Sequence, residues 1–260
     1  MADEFDNLLE SFSDIKVSED LSSVKHNPTD FSSFTKFQKG LEERFAHSEA
    51  EKKKKEASAN LLRWDAMLSD RWRGASLSKV DLDEDSIQAA QVISEKIRER
   101  KAPLNFYIRG DSGSGKTYIA YAILRRYIGQ AWVAPSQIKF VSEEFLIGLS
   151  DAGFSGRDRF DELLAPKITT YLFDGVFSRP DLPDRTRKLW EQLIDHIYNR
   201  SAIVLFTSNF DVSAAKALLS DSSFTKLENI TAGGLIYIGH DEAQDQSLLE
   251  LLDSPIAKRR

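Results

Sequence analysis

Eight consecutive residues carry the strongest chemical signal in the chain: Gly110, Asp111, Ser112, Gly113, Ser114, Gly115, Lys116 and Thr117. They match G-x-x-x-x-G-K-[ST], with a strand-like apolar run before them and a helical pattern after. Glycines at 110, 113 and 115 let the backbone curl until its N–H groups face one centre, which suits phosphate oxygens. A helix opening at Lys116 turns its positive end toward the same anion. In such a loop Lys116 reaches the β and γ phosphates, and the Thr117 hydroxyl ligates Mg²⁺. The candidate nucleotide-binding residues are thus Gly110, Gly113, Ser114, Gly115, Lys116 and Thr117, with ATP and Mg²⁺ as the expected ligands. The plain alternative is a glycine-rich turn beside a surface lysine.

Two further elements follow in order. Ile168–Phe173 reads as a buried strand that delivers Asp174 to its end. Asp174 is the candidate partner of Thr117 at the metal, although an acid there could instead cap the next segment. The residue after it is Gly175, where a second acid would polarise an attacking water, so the usual general base is missing. The run Ala202–Phe206 then leads into Thr207, Ser208 and Asn209. Asn209 could touch the γ-phosphate or the water; alternatively it is a turn asparagine. Lys116, Asp174 and Asn209 form the candidate catalytic set.

The elements needed to hold these groups are legible as alternating strands and helices from Leu77 onward. Strands are predicted at Leu104–Arg109, Ile138–Val141, Ile168–Phe173, Ala202–Thr207 and Leu235–Gly239. Helices are predicted at 83–100, 116–128, Glu143–Leu149, Arg159–Leu164, Arg185–Tyr198 and Val212–Leu219. Strands separated by helical crossovers imply a parallel sheet and the α/β class.

The 260 residues contain no cysteine, which removes disulfides, thiolate zinc sites and cysteine nucleophiles. The four histidines lack metal-ligand spacing. No G-x-S-x-G occurs, and the loop is not a G-x-G-x-x-G fingerprint, so neither a hydrolase elbow nor a dinucleotide cofactor is indicated. No apolar run reaches the ~18 residues of a membrane span, and the acidic start predicts no secretory signal. A cytoplasmic protein is expected.

Charge is uneven. Residues 1–35 hold eight acids and two lysines, the whole net charge of −6, and leave the rest neutral. This tail is predicted to be mostly disordered. Within it Phe5, Leu8, Leu9, Phe12 and Ile15 share one helical face, either a partner-binding motif or a helix docking on its own domain. Residues 36–68 read as helix, and the run Lys52–Lys55 among acids reads as a solvated face rather than a DNA contact. The expected organisation is an acidic tail at 1–35, a helical partner-binding region and linker at 36–75, and an ATPase domain at 76–260.

Arg71-Trp72-Arg73-Gly74-Ala75-Ser76-Leu77, the loop 110–117, Asp174 and Thr207-Ser208-Asn209 together resemble the AAA+ ATPases of the DnaC/DnaI helicase-loader and IstB transposition-helper family, over roughly 70–240. The resemblance implies an AAA+ P-loop fold, a five-stranded parallel sheet flanked by helices. It also implies a loader's partners: a replicative DnaB-type helicase held by the N-terminal region, single-stranded DNA on the body, and self-association. A transposition helper and an ATP-binding adaptor with little hydrolysis remain as alternatives; a divergent AFG1-like ATPase is a looser likeness. Eight acids near duplex DNA would repel it, which leans toward loader or adaptor. Where the family carries its finger and sensor arginines, Ser201 to Lys258 has none, and Lys226 is the only cation within Phe224–Ile230. A lysine is a poor substitute for the arginine fork. With Gly175, this predicts weak autonomous hydrolysis. For DNA, Arg157, Arg159 and Phe160, with Phe154 and Arg179, Arg185 and Arg187 nearby, mix basic and aromatic groups; ordinary surface charge would look similar.

Overall fold

A computed structural model of the chain describes residues 31–80, 83–179 and 181–239. Of the described residues, those up to Glu51 and those from Lys52 onward fall in two separate units. Helix α1, Phe31–Met67, supplies both. In the first unit its residues from 39 to 51 are exposed or half-buried. In the second unit Ala57, Asn60 and Trp64 recur at helical spacing and are buried, whereas Lys52–Lys55 are exposed, as a solvated face requires.

The second unit is built on five strands: β1 Phe106–Gly110, β2 Ile138–Ser142, β3 Thr170–Asp174, β4 Ile203–Ser208 and β5 Leu235–Ile238. All pairings are parallel, in the order β2-β3-β4-β1-β5. Helices are α2 Glu84–Arg100, α3 Lys116–Gly129, α4 Glu143–Asp151, α5 Gly153–Leu163, α6 Asp184–Arg200 and α7 Asp221–Thr231.

Side chains alternate across each strand, so every strand feeds two cores. Tyr107, Tyr171, Phe173, Val204 and Phe206 face one way, onto α4–α7; Phe173 and Phe206 stack at 4.8 Å, with Trp190 of α6 against Phe173. Phe106, Ile108, Leu172, Leu205 and Ile236 face the other way, onto α2, α3 and Trp64 of α1. Strands buried on both faces explain the near-continuous apolar runs in the sequence.

Local signals set most helix starts. Asp83 caps α2 by accepting from Ser86 N at 2.8 Å, and Ser142 caps α4 by accepting from Phe145 N at 3.1 Å. Four expectations change. Helix α1 begins at Phe31 rather than 36, and α5 at Gly153 rather than Arg159. The segment expected to be helical at Val212–Leu219 is a 3₁₀ turn, Val212–Ala217. Helix α7 was not expected; Ser220 caps it, and Phe224, Leu227 and Thr231 form its buried stripe.

Candidate nucleotide-binding site

The loop from β1 to α3 is shaped by glycine. A Cβ on Gly110 would stand 2.2 Å from the main-chain oxygen of Ile238, so no other residue lets β5 lie this close. Gly113 and Gly115 follow at φ 87° and 85°, left-handed values that let the backbone curl tightly. Lys116 is buried at the start of α3. Its Nζ donates to the main-chain oxygens of Gly110 at 2.8 Å and Asp111 at 2.6 Å, so the ammonium is held within the curl of the loop. Burial pushes its pKa down, and the charges of Asp111 and Asp174 oppose that shift. Ser86 of α2 donates its hydroxyl to Ser114 O at 2.8 Å, fastening α2 to the loop.

Beside Thr117 stands Asp174, carried to the end of β3. Thr117 Oγ1 donates to Asp174 Oδ1 at 2.8 Å. A hydroxyl that gives its proton to a carboxylate still has lone pairs for a cation. Thr117 and Asp174 are hard oxygen donors of the kind that would hold Mg²⁺. Ser114 Oγ is buried in the loop without a hydrogen-bond partner among the described residues. An orphaned hydroxyl and an ammonium held within a curled loop at the start of α3 fit a phosphate chain with its metal. Thr117 and Asp174 would hold the Mg²⁺, which would supply positive charge to offset that of the phosphates.

The far side of the site comes from β4, which lies between β3 and β1. Thr207 Oγ1 donates to the same Asp174 Oδ1 at 2.5 Å and accepts from Gly175 N at 3.0 Å. Sequence reasoning singled out Asn209; the structure brings Thr207 onto Asp174 and leaves Asn209 exposed just beyond the strand. The turn carrying Asn209 is well anchored. Tyr107 donates its hydroxyl to Phe210 O at 3.0 Å, and Phe210 N donates to Ser208 Oγ at 3.1 Å. Arg109 pairs with Asp211 at 2.5 Å and lies over the Tyr237 ring at 4.6 Å. Burial alone would raise the Asp211 pKa, yet hydrogen bonds from Ser213 and the charge of Arg109 bring it below the usual value.

Gly175 adopts φ 68°, a left-handed conformation that side chains resist. The place where a second acid would sit is therefore built as a glycine turn. Lys226 pairs with Asp195 at 2.7 Å, so the one cation of its segment is already engaged within the fold.

The segment Arg71–Leu77 also meets the loop's helix. Trp72 stacks on Tyr121 at 5.2 Å and 11°, one turn beyond Thr117, and Phe140 of β2 stacks on Tyr121 at 5.5 Å. Burial, then the charge of Asp174, raises the Tyr121 pKa. Arg125 grips Asp65 of α1 through two bonds of 3.1 Å.

The DNA candidates separate. Phe160 is 3% exposed and packs into the core, which corrects its reading as a base-stacking ring. Its neighbour Phe154 is 93% exposed. Arg159 lies over Phe145 at 5.3 Å; Arg157 and Arg185 line a groove of about 310 Å³. Phe5, Leu8, Leu9 and Phe12 lie outside the described residues. Among the described residues no cluster of three His, Cys, Asp or Glu could hold a metal, and no helix is long and apolar enough to cross a membrane.

Sheet order, loop position and the acid at the end of β3 define the AAA+ P-loop architecture. No protein-family model and no curated protein sequence matches the chain. Among solved structures it is similar to the DnaC helicase loader, with 19% identity and a TM-score of 0.52 over 66% of this chain and 100% of that one. It is similar to DnaI, with 19% identity and a TM-score of 0.50 over 69% and 98%. AMPPCP-bound DnaA from Aquifex aeolicus follows, with 16% identity and a TM-score of 0.50 over 70% and 56%. The chain thus has a DnaC/DnaI-like AAA+ fold.

Proposed function

We propose that this chain binds ATP with Mg²⁺ in the loop 110–117 and uses the bound state to load a replicative, DnaB-type helicase. The N-terminal region, 1–75, holds the helicase; the body, 76–260, holds single-stranded DNA through exposed groups such as Arg157 and Arg159. Lys116 and the loop N–H groups take the phosphates, Thr117 and Asp174 take the metal, and Asn209, exposed just past β4, reads the γ-phosphate. The observation that carries this reading is the Lys116–Thr117–Asp174 arrangement, set in the fold it shares with the DnaC loader.

One finer reading has its own support. The left-handed Gly175 and the engaged Lys226 favour an ATP-binding switch with little hydrolysis of its own, completed by groups from a second subunit or a partner.

The test is a mixture with replicative helicase and Mg²⁺–ATP on a sizing column, with and without single-stranded DNA. A joint peak that needs nucleotide, and that retains added single-stranded DNA, is expected. A joint peak that never takes up DNA points to an adaptor. No joint peak overturns the loader reading.

A further inference from the structure

Asp174 Oδ1 receives two hydroxyl protons, from Thr117 at 2.8 Å and from Thr207 at 2.5 Å. Only the first belongs to the phosphate loop. Thr207 is 1% exposed on central strand β4. Its main chain is held on both sides: it is paired with Ile108 of β1, and its carbonyl accepts from Val176 N at 3.1 Å. A β-branched side chain on so fixed a backbone has little rotamer freedom.

Its hydroxyl is also directional. The oxygen accepts the Gly175 N–H at 3.0 Å, and the proton goes to Asp174. Gly175 N–H, Thr207 O–H and the Asp174 carboxylate thus form a chain with one polarity. A strand residue that only filled space would be served by valine. Valine here would strip a donor from the carboxylate and an acceptor from the Gly175 amide.

We propose that Thr207 is a positioning residue, which holds the Asp174 carboxylate in the orientation that Mg²⁺ requires. This rests on reading the loop and Asp174 as a metal–nucleotide site. Both hydroxyls meet the same oxygen, so the carboxylate is held from two separate elements, helix α3 and strand β4, rather than by α3 alone. Outer partners that orient a metal-binding carboxylate typically change metal affinity by about 10–100-fold when removed.

The experiment follows a fluorescent ATP analogue binding to the full chain, in EDTA and across a Mg²⁺ titration, for wild type, Thr207→Val and Thr207→Ser. Thr207→Val is expected to need about 10-fold more Mg²⁺ for half-maximal enhancement, with its EDTA affinity unchanged. Thr207→Ser, which keeps the hydroxyl, is expected to restore the wild-type midpoint. If Thr207→Val does not fold, Thr207→Ala carries the same comparison. A wild-type midpoint in both hydroxyl-less variants overturns the proposal while leaving the site intact. Failure of the wild type to show Mg²⁺-dependent binding overturns the site, and this proposal with it.

Discussion

Replacing Gly110 with alanine tests how the phosphate loop gets its shape. The new Cβ would lie 2.2 Å from Ile238 O. An ordinary non-bonded contact is about 3.5 Å, so β5 or the loop must give way by about 1 Å. Overpacking of this kind costs about 1–3 kcal/mol. Parting Gly110 from Ile238, the last pair of the β1–β5 ladder, adds about 1 kcal/mol. Gly113→Ala is the control: its Cβ meets nothing within 4 Å, and only its φ of 87° resists. That strain costs about 1–2 kcal/mol. With a urea slope of about 2 kcal/mol/M, the midpoint falls by about 1.5 M for Gly110→Ala and by about 0.5–1 M for Gly113→Ala. Equilibrium urea unfolding reads both. A Gly110→Ala midpoint at or above that of Gly113→Ala would refute the close-approach account.

Other outcomes follow from the same structure. Asp65→Asn leaves Arg125 without its anion and is expected to cost about 1 kcal/mol at neutral pH, discounted for partial exposure. The Arg125 hydrogen bonds hold the Asp65 pKa below 3.8, so the difference from wild type is full above that value and disappears as pH falls through the folded-state pKa, as urea midpoints from pH 7 to pH 3 will show. Phe160→Ala is expected to lose about 3–5 kcal/mol, whereas Phe154→Ala stays within about 0.5 kcal/mol; equal losses would return Phe160 to the surface. Lys226→Ala breaks a half-exposed pair and is expected to cost at most about 1 kcal/mol without changing nucleotide affinity in a titration.

What the sequence discloses and what it hides follow from locality. The loop 110–117 is readable because its glycine spacing is a local backbone requirement, and the strands because they are buried on both faces. Helix α7 has local signals, a cap at Ser220 and a stripe at Phe224 and Leu227, but it is short and its apolar positions are few. The early start of α5 was hidden by Gly153 and Gly156, poor helix formers; Gly156 is needed because a Cβ there would meet Leu149 O at 2.0 Å. Phe160 looked like its neighbour Phe154 because aromatic type does not reveal which side of a helix faces the core. The role of Thr207 is hidden for a deeper reason. Its partner Asp174 lies on another strand, and the pairing of β3 with β4 depends on sheet order, which no local pattern records.

The central claim is that the turn before Thr117 encloses a metal-bound triphosphate. Calorimetric titration of the full chain with ATP and Mg²⁺, wild type beside Lys116→Ala, tests it most directly. Saturable binding by the wild type that is lost in a folded Lys116→Ala variant is the predicted result. Equal binding by both, or none by either, would contradict it.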